Sequence, residues 1–219
     1  MINLPLSSSC SFGYQKSDSP ARLWWCPTGP FAFLPIHAAG KYDANGRELE
    51  SLSDYAISSY TPTLDAFLTP PSLITEDFKV LAVIQPTIPG QPHLNLPFTR
   101  KELQKIEQQV PEECLVSLGT PKEDTSIENV LSHLSSSSIV HFACHGVQNL
   151  GSPLDSALLL GDGRLKVSKI MEHPLRNASL AFLSACETAT GDKKIPDEAM
   201  HIAATMLFAG FRGVVGTMW

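Results

Sequence analysis

Two short segments of this sequence each place chemically reactive side chains where an apolar run gives way to a predicted loop. One is His141-Phe-Ala-Cys-His145-Gly146, and the other is Leu183-Ser-Ala-Cys186-Glu187-Thr188. A cysteine thiolate attacks acyl groups, and a nearby imidazole lowers the pKa of the thiol or takes its proton. The backbone N–H groups of Gly146 and Cys186 would bind the resulting oxyanion, at about 2.7 to 4 kcal/mol per donor. The segments therefore predict thiol attack on an acyl group, with His145 and Cys186 as the reacting pair.

The spacing of these residues alone leaves other interpretations of their side chains open. A cysteine that ends an apolar strand often belongs to the core, and this alternative applies to Cys186. His141 is interpreted as a core histidine. Cys144 adjoins His145, and neighbours on an extended chain point to opposite faces, which disfavours Cys144 as the nucleophile. His141 and His145 would also suit a metal, but neither cysteine lies at a standard zinc spacing, so no metal is expected.

The elements around these segments predict how they are brought together. Short apolar runs indicate buried strands at 78–84, 139–143, 180–183 and 213–219. Another apolar run, Leu158-Leu-Leu160, precedes the turn Gly161-Asp-Gly163. Because strands alternate with helices over 78–219, the fold class is α/β, with a mostly parallel sheet flanked by helices. The carboxyl ends of neighbouring parallel strands form a ligand crevice. His145 and Cys186 are therefore expected to face one another across 41 residues of chain.

Three helices are predicted between the strands. Thr99 with Glu102 matches a capping box that opens a helix ending before Pro111, and Thr125 with Glu128 matches a second one. The serine run 135–138 ends the second helix. A third, over 199–209, ends at Gly210.

Composition excludes several classes of protein. The chain has 219 residues, a net charge of −6 and no basic cluster, so a nucleic-acid partner is not expected. No apolar run approaches the ~18 to 20 residues that span a bilayer, so no membrane partner is expected. Five cysteines without a CxxC pair suggest neither a disulfide framework nor a structural zinc site. With no secretory signal, the expected location is intracellular, in the cytoplasm or nucleus.

The ends of the chain differ in character from its middle. Residues 1–20 are rich in serine and predict a mobile tail, and the folded domain is expected from residue 22 to residue 219. The sequence stops on the apolar strand 213–219, with no following element to cover it. This end predicts a fragment whose C-terminal part is missing.

Several ordered motifs resemble one known family. HFACHG at 141–146 is followed by Pro153-Leu-Asp-Ser-Ala-Leu-Leu-Leu160, by LSACETATG at 183–191 and by AGFRGVVGTMW at 209–219. Trp24-Trp-Cys-Pro-Thr-Gly-Pro30 and Leu34-Pro-Ile-His-Ala-Ala-Gly40 extend the match upstream. Together they resemble the CHAT domain, a caspase-like module that is related to separase and the caspases and is often attached to tetratricopeptide repeats. Caspases likewise carry the catalytic histidine ~50 residues before the cysteine.

This resemblance implies a caspase-like fold and a cysteine endopeptidase. His145 would be the general base or proton donor and Cys186 the nucleophile, with Gly146 and Cys186 providing the oxyanion N–H groups. A protein or peptide substrate would be cleaved through a thioester, without a metal or an organic cofactor. The full-length protein would carry a repeat array. The alternative is a catalytically silent CHAT interaction module that docks partners for such an array.

Acidic residues after Cys186 are candidates for substrate specificity. Asp192, Asp197 and Glu198 lie near the expected cleft and would favour a basic substrate side chain. The alternative is that they are ordinary loop and helix-start charges, because carboxylates are favoured at a helix N-terminus.

Overall fold

The structure, a computed structural model, describes residues 20–29, 31, 34–61, 63, 78–88, 90–149, 151–173, 175, 177–184 and 202–216. It divides into two compact units. Among the described residues, the first unit extends from 20 to 63 and the second from 78 to 216.

The first unit is a small β structure. Its described strands are β1 (Ala21–Trp25), β2 (Gly40–Tyr42), β3 (Glu48–Ser51) and β4 (Ala56–Tyr60). Strand β1 pairs with β4 in parallel, and β2 pairs with β3 in antiparallel. Hydrogen bonds between side chains support the parallel pair, since the indole N–H of Trp25 donates to Ser58 Oγ at 3.1 Å.

The second unit contains the segments that the sequence singles out. Its described elements are β5 (Val80–Ile84), α1 (Thr99–Glu107), β6 (Leu115–Leu118), α2 (Ile127–Leu134), β7 (Ile139–Ala143), β8 (His145–Val147), β9 (Ala157–Leu159), β10 (Arg164–Lys166), α3 (Val167–Met171), β11 (Leu180–Ser184), α4 (Ile202–Phe208) and β12 (Gly213–Gly216). In this part of the chain, five strands form a sheet in the order β12-β11-β7-β5-β6, and all four pairings are parallel. The predicted parallel sheet flanked by helices is therefore confirmed.

Burial on both faces explains why β5 is apolar at every position. All five of its residues are buried. Leu81 and Val83 belong to the larger core, and Ala82 and Ile84 belong to a smaller core on the opposite face, under Leu103 of α1. A strand covered on both faces has no solvent-facing position, so it is a continuous apolar run rather than an alternating one.

The carboxyl ends of the three central strands are level. Ala143, the last residue of β7, pairs with Ile84 at the end of β5 and with Ser184 at the end of β11. After β7 the chain enters a separate antiparallel sheet of β8, β9 and β10. The segments that follow β5, β7 and β11 therefore leave the parallel sheet at one edge.

Both predicted capping boxes are wrong, because neither threonine is the N-cap of the helix that follows it. Thr99 is the first residue of α1 rather than its cap, and its hydroxyl donates to the carbonyl of Leu96 at 2.8 Å. The cap of α2 is Ser126, whose Oγ accepts from the N–H of Asn129. The hydroxyl of Thr125 donates instead to Oε1 of Gln85.

Helix ends agree better with the sequence. Helix α2 ends at Leu134, directly before the serine run, as predicted. The described part of the third predicted helix is α4, and Gly210 follows it with a φ of 118°. Across the described residues, no helix has the length and apolar character needed to cross a membrane.

The larger core predicts the cost of truncating Phe142, whose side chain is fully buried. Phe142→Ala should lower the free energy of unfolding by about 3 to 5 kcal/mol, because it removes transfer energy and leaves a cavity. Phe142→Leu removes fewer atoms and leaves a smaller cavity, so it should cost less than Phe142→Ala. Guanidinium denaturation followed by circular dichroism measures both.

The control is Phe98→Ala, which truncates a phenylalanine that is 67% exposed and should change the free energy of unfolding by less than about 0.5 kcal/mol. Equal losses for Phe142→Ala and Phe98→Ala would contradict the core described above.

Candidate active site

His145 lies at the carboxyl edge of the parallel sheet. It is the first residue of β8, two positions after the end of β7, and it is half-buried. The sequence predicted a loop here, but the backbone is a short strand whose partners are Leu159 for His145 and Leu158 for Gly146. Pairing with β9 holds the backbone of both residues in an extended conformation.

The other predicted site residues lie outside the described residues. These are Cys186, Asp192, Asp197 and Glu198. The described chain reaches Ser184, which ends β11 two residues before Cys186 and pairs with Ala143, two residues before His145. The two candidate catalytic residues thus follow paired positions of adjacent parallel strands at equal distances along the chain.

Cys144 is part of the larger core. It is 1% exposed, and desolvation by burial raises the pKa of its thiol to about 12. A buried thiol that stays protonated at neutral pH is a poor nucleophile. The structure therefore agrees with the sequence analysis in setting Cys144 aside.

A polar cluster that the sequence did not predict lies on the α1 face of the sheet. Nε2 of His141 is 2.9 Å from Oε2 of Glu102, and the hydroxyl of Ser184 donates to Oε1 of Glu102 at 3.2 Å. The imidazole of His141 stacks on Phe182 with ring centroids 5.0 Å apart. His141, interpreted from the sequence as a core histidine, is mostly buried and is the partner of a carboxylate. This cluster joins β7 to β11 just before the two candidate catalytic residues.

A helical spacing could have identified Glu102. The buried residues of α1 are Thr99 and Leu103, and Ile106 is packed against the smaller core. Glu102 lies three residues after Thr99 and four before Ile106, so it shares the face that packs on the sheet. A carboxylate on such a face needs a polar partner in the sheet, and His141 is the polar residue of β7.

The described residues contain no group of three or more histidine, cysteine or acidic side chains that could hold a metal ion. His141 is instead engaged with Glu102.

Comparison with protein families shows the family of this chain. The family model described as CHAT domain matches residues 2–219. The chain belongs to the CHAT domain family. No curated protein matches it. The CHAT domain is a caspase-like peptidase family, and the five-stranded parallel sheet flanked by helices is consistent with a caspase-like fold.

The polar cluster of this CHAT domain predicts a stability effect at Glu102. Glu102→Ala leaves His141 and Ser184 without their common partner and should cost about 1 to 2 kcal/mol, toward the lower end for unpaired polar groups because Glu102 is half-buried. The measurement is the free energy of unfolding in urea. Glu107→Ala, at the exposed end of the same helix, is the control and should change it by less than about 0.5 kcal/mol. A loss at Glu102 no larger than that at Glu107 would contradict the cluster.

Burial of Cys144 predicts slow alkylation of this residue. With a pKa of about 12, roughly one thiol in ten thousand is ionised at pH 8, because the fraction falls tenfold per pH unit below the pKa. Iodoacetamide should therefore label the exposed Cys26 long before Cys144 in the folded CHAT domain. Mass spectrometry of peptides, taken over a time course, measures both rates. In denaturant the difference should disappear, and equal rates in the folded protein would contradict the burial of Cys144.

Proposed function

We propose that this CHAT domain is a cysteine endopeptidase in which Cys186 is the nucleophile and His145 transfers protons. Membership of a caspase-like peptidase family supports a peptidase role. The residues that would perform the reaction are proposed from the geometry of the strands that precede them.

The observation that carries this proposal is the pairing of Ala143 with Ser184. These residues end adjacent parallel strands, and ligands of parallel sheets bind at the carboxyl edge. His145 follows the first by two residues and Cys186 follows the second by two residues. Two residues of chain span at most about 7 Å, so a pair of neighbouring side chains is sterically accessible from this edge.

The proposed reaction has two steps. The thiolate of Cys186 attacks the carbonyl carbon of the peptide bond, and His145 gives a proton to the departing amine as the C–N bond breaks. Water then attacks the thioester, His145 takes its proton, and the C–S bond breaks to release the carboxylate and the free thiol. The N–H groups of Gly146 and Cys186 would stabilise the oxyanion in both steps.

Specificity and partners are proposed on the basis of the sequence. Asp192, Asp197 and Glu198 would favour a basic residue at the cleavage position. CHAT domains are often associated with protein interactions or substrates, and a tetratricopeptide repeat array would be the attached sensor here. We place the activity inside the cell, since five cysteines without a CxxC pair do not suggest a disulfide framework.

Thiol reactivity tests the dyad without knowledge of the substrate. Cys186 should react with iodoacetamide near neutral pH at least about tenfold faster than Cys26, because a neighbouring imidazolium favours the thiolate. His145→Ala should abolish this advantage. Mass spectrometry of each cysteine peptide across pH 5 to 9 gives the rates.

The matched control is His133→Ala. His133 lies at the end of α2, six residues before β7 begins and therefore toward the opposite edge of the sheet. This variant should retain the fast labelling of Cys186. If Cys186 reacts no faster than Cys26, or keeps its advantage in His145→Ala, the dyad does not exist. A protein that folds and binds partners with both residues replaced would be an interaction module.

A further inference from the structure

A hollow of about 320 Å³ opens beside the strand that pairs with His145. One wall is the segment after β5, with Ile88 and Gln91. The other is the β9–β10 hairpin, with Leu159, Arg164 and the turn between them. Since β5 ends level with β7, the hollow lies at the same edge of the parallel sheet as His145.

The register of the antiparallel sheet aligns this hollow with His145. His145 pairs with Leu159, and Leu159 pairs with Arg164, so the three residues form one row across the sheet. Directly opposed residues project from the same face. Leu158 and Leu165, at the alternate positions, are fully buried, so the row faces away from the core. With strands about 4.8 Å apart, the Cα atoms of His145 and Arg164 are about 10 Å apart.

Buried hydrogen bonds hold the two walls together. Gln85, directly after β5, accepts a hydrogen bond from the hydroxyl of Thr125. The N–H of Gly161 in the hairpin turn donates to Thr125 Oγ1 at 3.1 Å. A Cβ at Gly161 would lie 2.9 Å from that oxygen, so the close approach requires glycine here. Gln85 and Thr125 are both buried, and the hollow is consequently a preformed feature.

The charge of the hollow comes from Arg164. In the part of the chain that the structure describes, no carboxylate forms an ion pair with its guanidinium. The nearest acidic residue along the chain, Asp162, accepts a hydrogen bond from the N–H of Ile127 at 3.0 Å. Lys166 on the same strand is already paired with Asp155 at 2.7 Å. Because the whole chain has a net charge of −6, attraction of an anion here would be local to Arg164.

We propose that the hollow is a substrate subsite for an acidic side chain, with Arg164 as the residue that determines this specificity. An extended peptide advances about 3.3 Å per residue, so the acidic residue would lie within about three positions of the cleaved bond. Leu159 and Ile88 would contact its methylene groups, and the guanidinium would bind its carboxylate. This subsite rests on the proposed peptidase function. It is separate from the basic preference that Asp192, Asp197 and Glu198 would give at the cleavage position.

Peptidyl acyloxymethyl ketones test the subsite by covalent capture of Cys186. The probes carry Glu, Gln or Lys at each of the three positions before the reactive ketone. The Glu probe should react about threefold to tenfold faster than the Gln probe at one position, in the range expected for a charge-assisted bond at an open site. Arg164→Gln should remove this preference and Arg164→Glu should reverse it toward Lys. Added salt should weaken it.

Two comparisons distinguish a failure of the subsite from a failure of the dyad. Rates are divided by the rate of iodoacetamide labelling of Cys186, which reports the dyad alone. Lys166→Glu makes the same charge change two residues further along β10 and should retain the preference for Glu. A reactive Cys186 without a preference for Glu, or with one that survives Arg164→Glu, would overturn the subsite while leaving the peptidase intact.

A binding measurement tests the subsite without any reaction at Cys186, and it therefore applies even if the proposed dyad is wrong. Fluorescent peptides with Glu, Gln or Lys at every position are titrated into Cys186→Ala and Cys186→Ala with Arg164→Glu, using fluorescence anisotropy. Tighter binding of Glu peptides that depends on Arg164 would support the subsite even if Cys186 were unreactive. Equal binding of the three peptide types would overturn it.

Discussion

The level ends of β5, β7 and β11 are the constraint on which the rest of the second unit depends. Ala143 pairs with both Ile84 and Ser184, so three central strands stop in one row. A segment of interest follows each strand. The segment after β5 forms a wall of the hollow, the one after β7 contains His145, and the one after β11 leads to Cys186. A slip of one residue in any pairing would turn every side chain of that strand to the other face of the sheet.

Polar groups on the α1 face couple this row to the helix above it. Glu102 binds His141 of β7 and Ser184 of β11 with one carboxylate, so it joins the two strands that lead to the proposed dyad. An aromatic contact between His141 and Phe182 adds to the connection across the same pair of strands. Such a cluster is costly to leave unsatisfied in a partly desolvated place, and this cost favours a single arrangement of the strand ends.

The separate antiparallel sheet aligns His145 with the hollow. The row of His145, Leu159 and Arg164 lies on the face of this sheet away from the core, and Leu158 and Leu165 on the other face pack into the core. A short hairpin of this kind is marginal by itself, and the buried bonds through Thr125 attach it to the end of β5. The proposed subsite and the proposed dyad would thereby lie on neighbouring sheets that share one edge.

The sequence by itself determined the family and four of the five strands of the parallel sheet, all but β6, and the tertiary structure decided the partners of the polar side chains. Strand β7 has the predicted bounds because buried parallel strands are continuous apolar runs that need no other information. Thr125 and Glu102, which belong to the predicted capping boxes, bond to residues 39 to 82 positions away, and local spacing carries no signal for such contacts. Arg164 is aligned with His145 only through the register of two hairpin pairings. Register depends on which faces are buried when the whole unit packs, and this packing exists only in the folded chain.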